Sequence, residues 1–340
     1  MESTQELKIQ ETKKIERQQE MEQWLRSACH LPSVSLQFMA GDASFRRYFR
    51  LADGDKTMVV MDAPPPVENC RPYIAIASAL RQTGLNAPEV IHADVTRGFL
   101  LMTDFGDATY LKTLTAANAD KLYGAALNAL SILQGCRSVE NHKIPPFTAD
   151  FMLNEWMLHK EWVWHKLLGL SSPFAEKELD ACYALLVESA VNQPQVFMHR
   201  DYHAGNLMVL PEGGVGILDF QDAFIGPVTY DLASLLRDCY VEWPREQVEH
   251  WALSYRQRLN LQTDAQAFLR WFDLMGMQRH LKALMTFARK HVRDQQPRYL
   301  LYIPRTLNYL LQVSHRYPEF ERLHDYLRVT IKPAFERIMK

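Results

Sequence analysis

The sequence predicts an α+β chain, a small antiparallel sheet with one helix followed by a larger helical part. Two patterns carry this. From Ser35 to Thr103, short runs rich in aromatic and β-branched residues alternate with Gly and Pro turns. After Asp107 apolar residues recur at spacings of three and four, and only Gly124, Gly135 and Gly169 interrupt them before residue 200. The 340 residues, 47% apolar and 23% charged, suffice for two lobes with a buried core. A net charge of −2 gives no electrostatic footprint for nucleic acid or an anionic membrane. No apolar run reaches the roughly 18 residues of a membrane span. The first 25 residues, studded with Glu and Lys, lack the apolar stretch of a secretory signal. Five scattered cysteines without a C-x-x-C pair fit a reducing cytoplasm better than a disulfide or zinc framework.

Residues 1–23, with Glu11, Lys14, Arg17 and Glu20, read as a polar helical extension, solvated or frayed. SLQFMA, FRRYFRLA and TMVVM then read as strands, with Asp53-Gly54 marking the hairpin between the second and third. Pro64-Pro65-Pro66 blocks extension of the third. A helix is predicted over 72–83, with Pro72 in its first turn and Gly84 beyond its end. EVIHAD and GFLLMT follow as two strands joined at Thr96-Arg97-Gly98, and Leu122 to Cys136 reads as a core helix. Within the helical part, VFMHRDYHAGNLMVLPEGGVGILDF holds two short apolar runs around Glu212-Gly213-Gly214, a hairpin.

That hairpin gathers the candidate chemistry. A turn centred between Glu212 and Gly213 pairs residues whose numbers add up to 425, which sets Asn206 opposite Asp219. His199, Arg200 and Asp201 sit in the loop entering the same end. An amide oxygen with a carboxylate suits Mg²⁺, which keeps waters and takes further ligands from substrate phosphates. A second carboxylate can orient a hydroxyl and accept its proton. Asn206 lies five residues after Asp201, and Asp219 eighteen after it, spacings that match the catalytic loop and metal aspartate of kinases. Two other readings stand beside this. His199, Asp201 and His203 could ligate the metal of a hydrolase, which needs further ligands that no cluster supplies; or the segment is a polar turn without chemistry.

His199, Asp201, Asn206, Asp219, Asp222 and Asp231-Leu232-Ala233 resemble the aminoglycoside phosphotransferase-type kinases, small-molecule relatives of protein kinases. GDASFRRYFRL, VVMDAPPP, HRDYHAGNLM, GILDFQDAFIGPVTYDLASLLRD and GMQRHLKAL are similar to the bacterial anomeric sugar kinases, which phosphorylate N-acetylmuramate and N-acetylglucosamine at C1 in cell-wall recycling. The resemblance runs from about Trp24 to the C-terminus. It implies a two-lobed protein-kinase-like fold, with residues 24–104 a nucleotide-binding sheet lobe and 105–340 a helical lobe. It also implies ATP as donor, Asp201 as catalytic base, and Asn206 and Asp219 as Mg²⁺ ligands. The sugar is expected to meet Asp201, His203, Gln221 and Asp222. The chain is expected to act as a cytoplasmic monomer on a small-molecule sugar, without nucleic-acid or membrane partners. His199 reads as a buried scaffold residue, and Asp231 as a cap of the following helix or a brace of the catalytic loop. Asp222 is open to metal or sugar.

One departure stands out. Kinase folds place a Lys on the third strand to hold the α- and β-phosphates, but Thr57 to Asp62 ends without one. The first turn also lacks G-x-G-x-x-G. Backbone N–H groups from Ala43, Ser44 and Phe45, with Arg46 or Arg47, are the candidate replacements, and strand alternation allows only one of the two arginines to face nucleotide. The missing Lys is compatible with a pseudokinase, though the intact Asp201, Asn206 and Asp219 argue against it. Asp104-Phe105-Gly106 spells the metal motif of protein kinases but precedes the catalytic loop; it is assigned to the interlobe crossing, its backbone toward the adenine edge. Trp156, Trp162 and Trp164 read as core rather than sugar platforms. Arg279, His280 and Lys282 form a basic cluster that could meet a lactyl carboxylate or a phosphate, with a solvated face the preferred reading. Missing acidic runs disfavour an aminoglycoside substrate, the alternative being another small-molecule hydroxyl kinase such as one acting on choline or homoserine, and the lack of an A-P-E segment after Asp219 disfavours a protein kinase.

Overall fold

The computed structural model describes residues 4–31, 33–41, 45–54, 56–136, 138–171 and 176–339. The chain divides into two compact units, Met1–Asp107 with Glu140–His142, and Ala108–Val139 with Lys143–Lys340. No helix among the described residues is long and apolar enough to cross a membrane.

In the first unit α1 (Thr4–Ser27) precedes β1 (Leu36–Gly41), β2 (Arg47–Asp53) and β3 (Lys56–Asp62); α2 (Arg71–Gln82) leads to β4 (Val90–Asp94) and β5 (Phe99–Thr103). The strands form an antiparallel sheet in the order β1-β2-β3-β5-β4. Each lies within a residue or two of its expected position. α2 buries Tyr73, Ile76, Ala77 and Leu80, the i, i+3, i+4, i+7 stripe of an amphipathic helix. Gly98, at φ +75°, is required in the β4–β5 turn: a Cβ there would fall 2.0 Å from the Ala63 carbonyl oxygen.

The N-terminal helix corrects one expectation. Rather than a solvated extension over residues 1–23, it is docked from Arg17 onward. Met21, Trp24 and Leu25 are buried in one cluster with Phe49, Leu51, Val60, Phe99 and Leu101. Each large apolar side chain taken fully from water contributes about 1.5–3 kcal/mol. Arg17 adds a charged anchor. Its Nε donates to Asp62 Oδ1 at 2.7 Å, and Arg47 Nη2 donates to Asp62 Oδ2 at 2.6 Å. Asp62 is fully buried at the end of β3, where two guanidiniums satisfy its charge.

The second unit is built on helices. It runs through α3 (Tyr110–Thr113), α4 (Ala119–Gln134), α5 (Ala149–His159) with a π-helical continuation (Lys160–Leu167), and α6 (Glu176–Val191). Four short strands follow, β6 (Gln195–Met198), β7 (Leu207–Val209), β8 (Val215–Ile217) and β9 (Phe224–Pro227). Then come α7 (Tyr230–Leu236), α8 (Arg245–Arg258), α9 (Ala265–Val292) and α10 (Ile303–Arg316). α9 is buried on every side between Phe272 and Leu281, which marks it as the central element of the core. Trp156 and Trp164 are core residues as expected, 4% and 0% exposed, while Trp162 is partly buried against the same cluster.

The hairpin forms, with a register one residue from the expected one. β7 pairs with β8 as Leu207↔Ile217, Met208↔Gly216 and Val209↔Val215, so the turn centres on Glu212. β6 and β9, antiparallel partners, flank it in the chain.

Candidate active site

The loop from His199 to Asn206 is pinned by buried groups on three sides. Asp231, at the start of α7, accepts the backbone N–H of His199 at 2.7 Å and of Arg200 at 2.9 Å. It therefore braces the loop, one of the two roles expected of it. Burial pushes its pKa up to about 7, against the pull of those two N–H groups. Arg200 takes φ +80°, a left-handed turn held by this brace. The His199 ring is buried; Nε2 lies 2.9 Å from the Leu218 carbonyl oxygen, and Nδ1 accepts the Asp201 N–H at 3.3 Å. Burial holds its pKa down to about 4, so the ring is neutral and its two nitrogens tie the loop to the hairpin. Asp238 accepts the N–H of Ala204 at 2.9 Å and of Tyr240 at 2.9 Å.

At the hairpin mouth Asn206 stands opposite Leu218, whose N–H donates to the Asn206 carbonyl oxygen at 3.0 Å. The one-residue slip would turn Asp219 to the other face, but Asp219 takes φ +64° and comes back. Asn206 Nδ2 donates to Asp219 Oδ2 at 3.3 Å and to the Asp201 carbonyl oxygen at 3.0 Å. Gln221 Nε2 donates to Asp219 Oδ1 at 2.8 Å and reaches Asp222 Oδ2 at 3.4 Å. Asn206, Asp219, Gln221 and Asp222 thus form one hydrogen-bonded group fastened to the Asp201 backbone.

The Asp201 side chain is engaged from α9, where Lys282 Nζ lies 3.2 Å from Oδ1. Burial raises the Asp201 pKa, but Lys282 first, then His203, Arg279 and Arg200, outweigh it and hold the carboxyl well below the usual range. Asp201, His203, Cys239, Tyr240, Arg279 and Lys282 line a pocket of about 60 Å³. The solvated face expected for the basic cluster is corrected here. Arg279 is buried, His280 stacks on Tyr309 with its Nε2 2.8 Å from the Arg237 carbonyl oxygen, and Lys282 faces Asp201. Apolar residues on both sides, Phe272, Leu274, Met275 and Met277 before and Leu284, Met285 and Phe287 after, are the sequence signal for this burial. Asp238 and Tyr240 left no such signal.

The metal chemistry of the site is that of hard oxygens. The Asn206 amide turns its NH₂ to the Asp201 carbonyl oxygen and the Asp219 carboxylate, which leaves Oδ1, a hard oxygen, as the end turned away from both. Among the described residues no three His, Cys, Asp or Glu side chains gather to hold a metal. The His199, Asp201, His203 alternative also loses its ligands: both His199 nitrogens are engaged, and His203 Nδ1 accepts the Gly205 N–H at 3.2 Å.

The remaining expected residues belong to the first unit. Ala43 and Ser44 lie outside the described residues. Phe45 N donates to Glu68 Oε1 at 3.0 Å, and Arg46 Nε pairs with Glu68 Oε2 at 2.9 Å. Asp104 accepts Arg50 Nε at 2.6 Å and the Gly106 N–H at 2.8 Å, with Phe105 between them. Its carboxylate is thus engaged within its own unit.

Residues 35–272 match the Phosphotransferase enzyme family. The chain belongs to this family. The family chain is 42% identical over 306 residues to an N-acetylmuramate/N-acetylglucosamine kinase of Pseudomonas aeruginosa, covering 87% of this chain and 89% of that one. It is 41% identical over 303 residues to the protein of the same name in Pseudomonas putida, covering 87% and 88%. A choline kinase from Streptococcus pneumoniae shares the fold at TM-score 0.61 and 14% identity, over 86% of this chain and 99% of that one. This phosphotransferase is an ATP-dependent kinase with a protein-kinase-like fold.

Proposed function

We propose that this kinase transfers the γ-phosphoryl group of ATP to the anomeric hydroxyl of N-acetylmuramate and N-acetylglucosamine, as a step of cell-wall recycling in the cytoplasm. The observation that carries the substrate is identity of 42% and 41%, over nearly nine-tenths of the chain, to relatives named for these two sugars. Five free, buried cysteines among the described residues agree with a reducing compartment.

Asp201 is the proposed base. Its ionised carboxylate orients the sugar hydroxyl and takes its proton as the oxygen attacks the γ-phosphorus; the bond to the β-phosphate oxygen breaks and ADP leaves. An anomeric hydroxyl is more acidic than an ordinary alcohol, so an aspartate of low basicity suffices. Alignment and charge neutralisation then supply most of the rate. Asn206 Oδ1 and the Asp219 carboxylate are the proposed holders of Mg²⁺, which when bound neutralises charge on the phosphate oxygens. Gln221 orients Asp219, while His203 and Asp222 are proposed to meet the sugar. Backbone N–H groups of residues 43–45 and the Arg46 side chain are proposed for the phosphate tail of the nucleotide, phosphate replacing Glu68 as the partner of the Phe45 N–H and Arg46, and the Asp104-Phe105-Gly106 segment for its adenine edge.

The test is ADP release measured across acceptors. Turnover is expected with N-acetylmuramate and N-acetylglucosamine and none with choline or kanamycin. The reverse pattern overturns the proposal.

A further inference from the structure

Arg279 and Lys282, three residues apart on α9, line the pocket beside Asp201, the one carboxylate among its lining residues. Arg279 is 5% exposed, yet no carboxylate lies within ion-pair distance of it among the described residues. Its Nη1 meets the Cys239 sulfur at 4.0 Å, and its Nε, buried, has no partner. Cys239 does not balance that charge, because burial pushes its thiol up and keeps it neutral. The Asp238 carboxylate accepts the backbone N–H groups of Ala204 and Tyr240 and makes no hydrogen bond to Arg279 among the described residues. Lys282 carries three N–H donors and uses one on Asp201. A buried N–H donor without an acceptor is costly, and both cations open on one pocket of about 60 Å³. A pocket of that volume has room for a small polar group and water. The planar fork of a guanidinium suits a carboxylate's two oxygens.

We propose that Arg279 and Lys282 form a subsite for the carboxylate of an acidic substituent on the sugar, next to the hydroxyl that Asp201 engages. The inference rests on the reading of Asp201 as the group that meets the sugar. In this subsite the lactyl carboxylate of N-acetylmuramate is held by both cations. N-acetylglucosamine, which lacks it, leaves the pocket to water.

The experiment compares kcat/KM for N-acetylmuramate, its methyl ester and N-acetylglucosamine in the wild type, Arg279→Met and Lys282→Met, with the KM for ATP measured alongside. The wild type is expected to favour the acid over the ester by roughly tenfold to a hundredfold, the range for a hydrogen bond to a charged group. Each variant should shrink that ratio toward one, whatever it does to turnover of the neutral sugar. Equal losses on all three sugars, or a rise confined to the KM for ATP, overturn the subsite and assign the cations to phosphoryl transfer or the nucleotide. Should a variant not fold, the wild-type ratio alone decides: acid and ester used equally well contradict the subsite. If neither sugar is phosphorylated by the wild type, the reading of the active site fails and the subsite with it. Both sugars phosphorylated with an unchanged acid-to-ester ratio refutes the subsite alone.

Discussion

Asp201 is the residue on which the chemistry turns, and its surroundings set its state. Lys282 leads the cations that overcome burial and keep it ionised, so it is ready to accept a proton without titrating near neutral pH. Asn has the same shape and no charge. Asp201→Asn should therefore lower kcat by about 10²–10⁴-fold, the range for removing a general base, while calorimetry still detects ATP binding. An unchanged kcat would remove Asp201 from its role. The pair Asp201–Lys282 was the least legible part of the site, because Lys282 enters from a helix 81 residues further along the chain. Its neighbour Arg279 could be read as buried only by weighing the apolar residues around it against its own charge.

The hairpin is the element that assembles the metal-binding pair, and it shows how far local pattern reaches. Two short apolar runs around Glu212-Gly213-Gly214 were sufficient to predict strands, a turn, and Asn206 near Asp219. They did not fix the register, because a turn centred on Glu212 and one centred half a residue later leave the same residues apolar. The positive φ of Asp219 then restores the pairing with Asn206, a backbone state for which Asp is enriched but which few Asp residues adopt, so the residue type alone does not announce it. Asp219→Ala removes one of two protein ligands and should abolish the Mg²⁺ dependence of nucleotide binding. Titration of ATP with and without Mg²⁺ checks this, and Mg²⁺-enhanced affinity persisting in the variant would refute the assignment. α1 was misread for a comparable reason. Its charged first half dominates the pattern, and docking depends on Met21, Trp24 and Leu25 near its end and on Arg17, whose partner Asp62 is 45 residues distant.

Across the whole molecule, buried titratable groups tie stability to pH. Burial holds His159 and His199 down to about 4 and His280 to about 3, from an ordinary 6.5. As pH falls through about 6.5 these rings take up protons in the unfolded chain but stay neutral in the folded one. The unfolded state then binds more protons, so their contribution is complete above about 6.5 and is lost as pH falls toward 4. Asp231, raised by burial to about 7, has the opposite sign: its contribution is present at low pH and is lost as pH rises toward 7. Three histidines against one aspartate predict a lower urea midpoint at pH 5 than at pH 7. A midpoint equal or higher at pH 5 contradicts this.

Phosphorus NMR of the product tests the central claim most directly. After incubation with ATP, Mg²⁺ and N-acetylmuramate, the new phosphate resonance should couple to a single anomeric proton of the sugar. A resonance coupled to the two protons of C6, or no sugar phosphate at all, would contradict transfer to the anomeric hydroxyl.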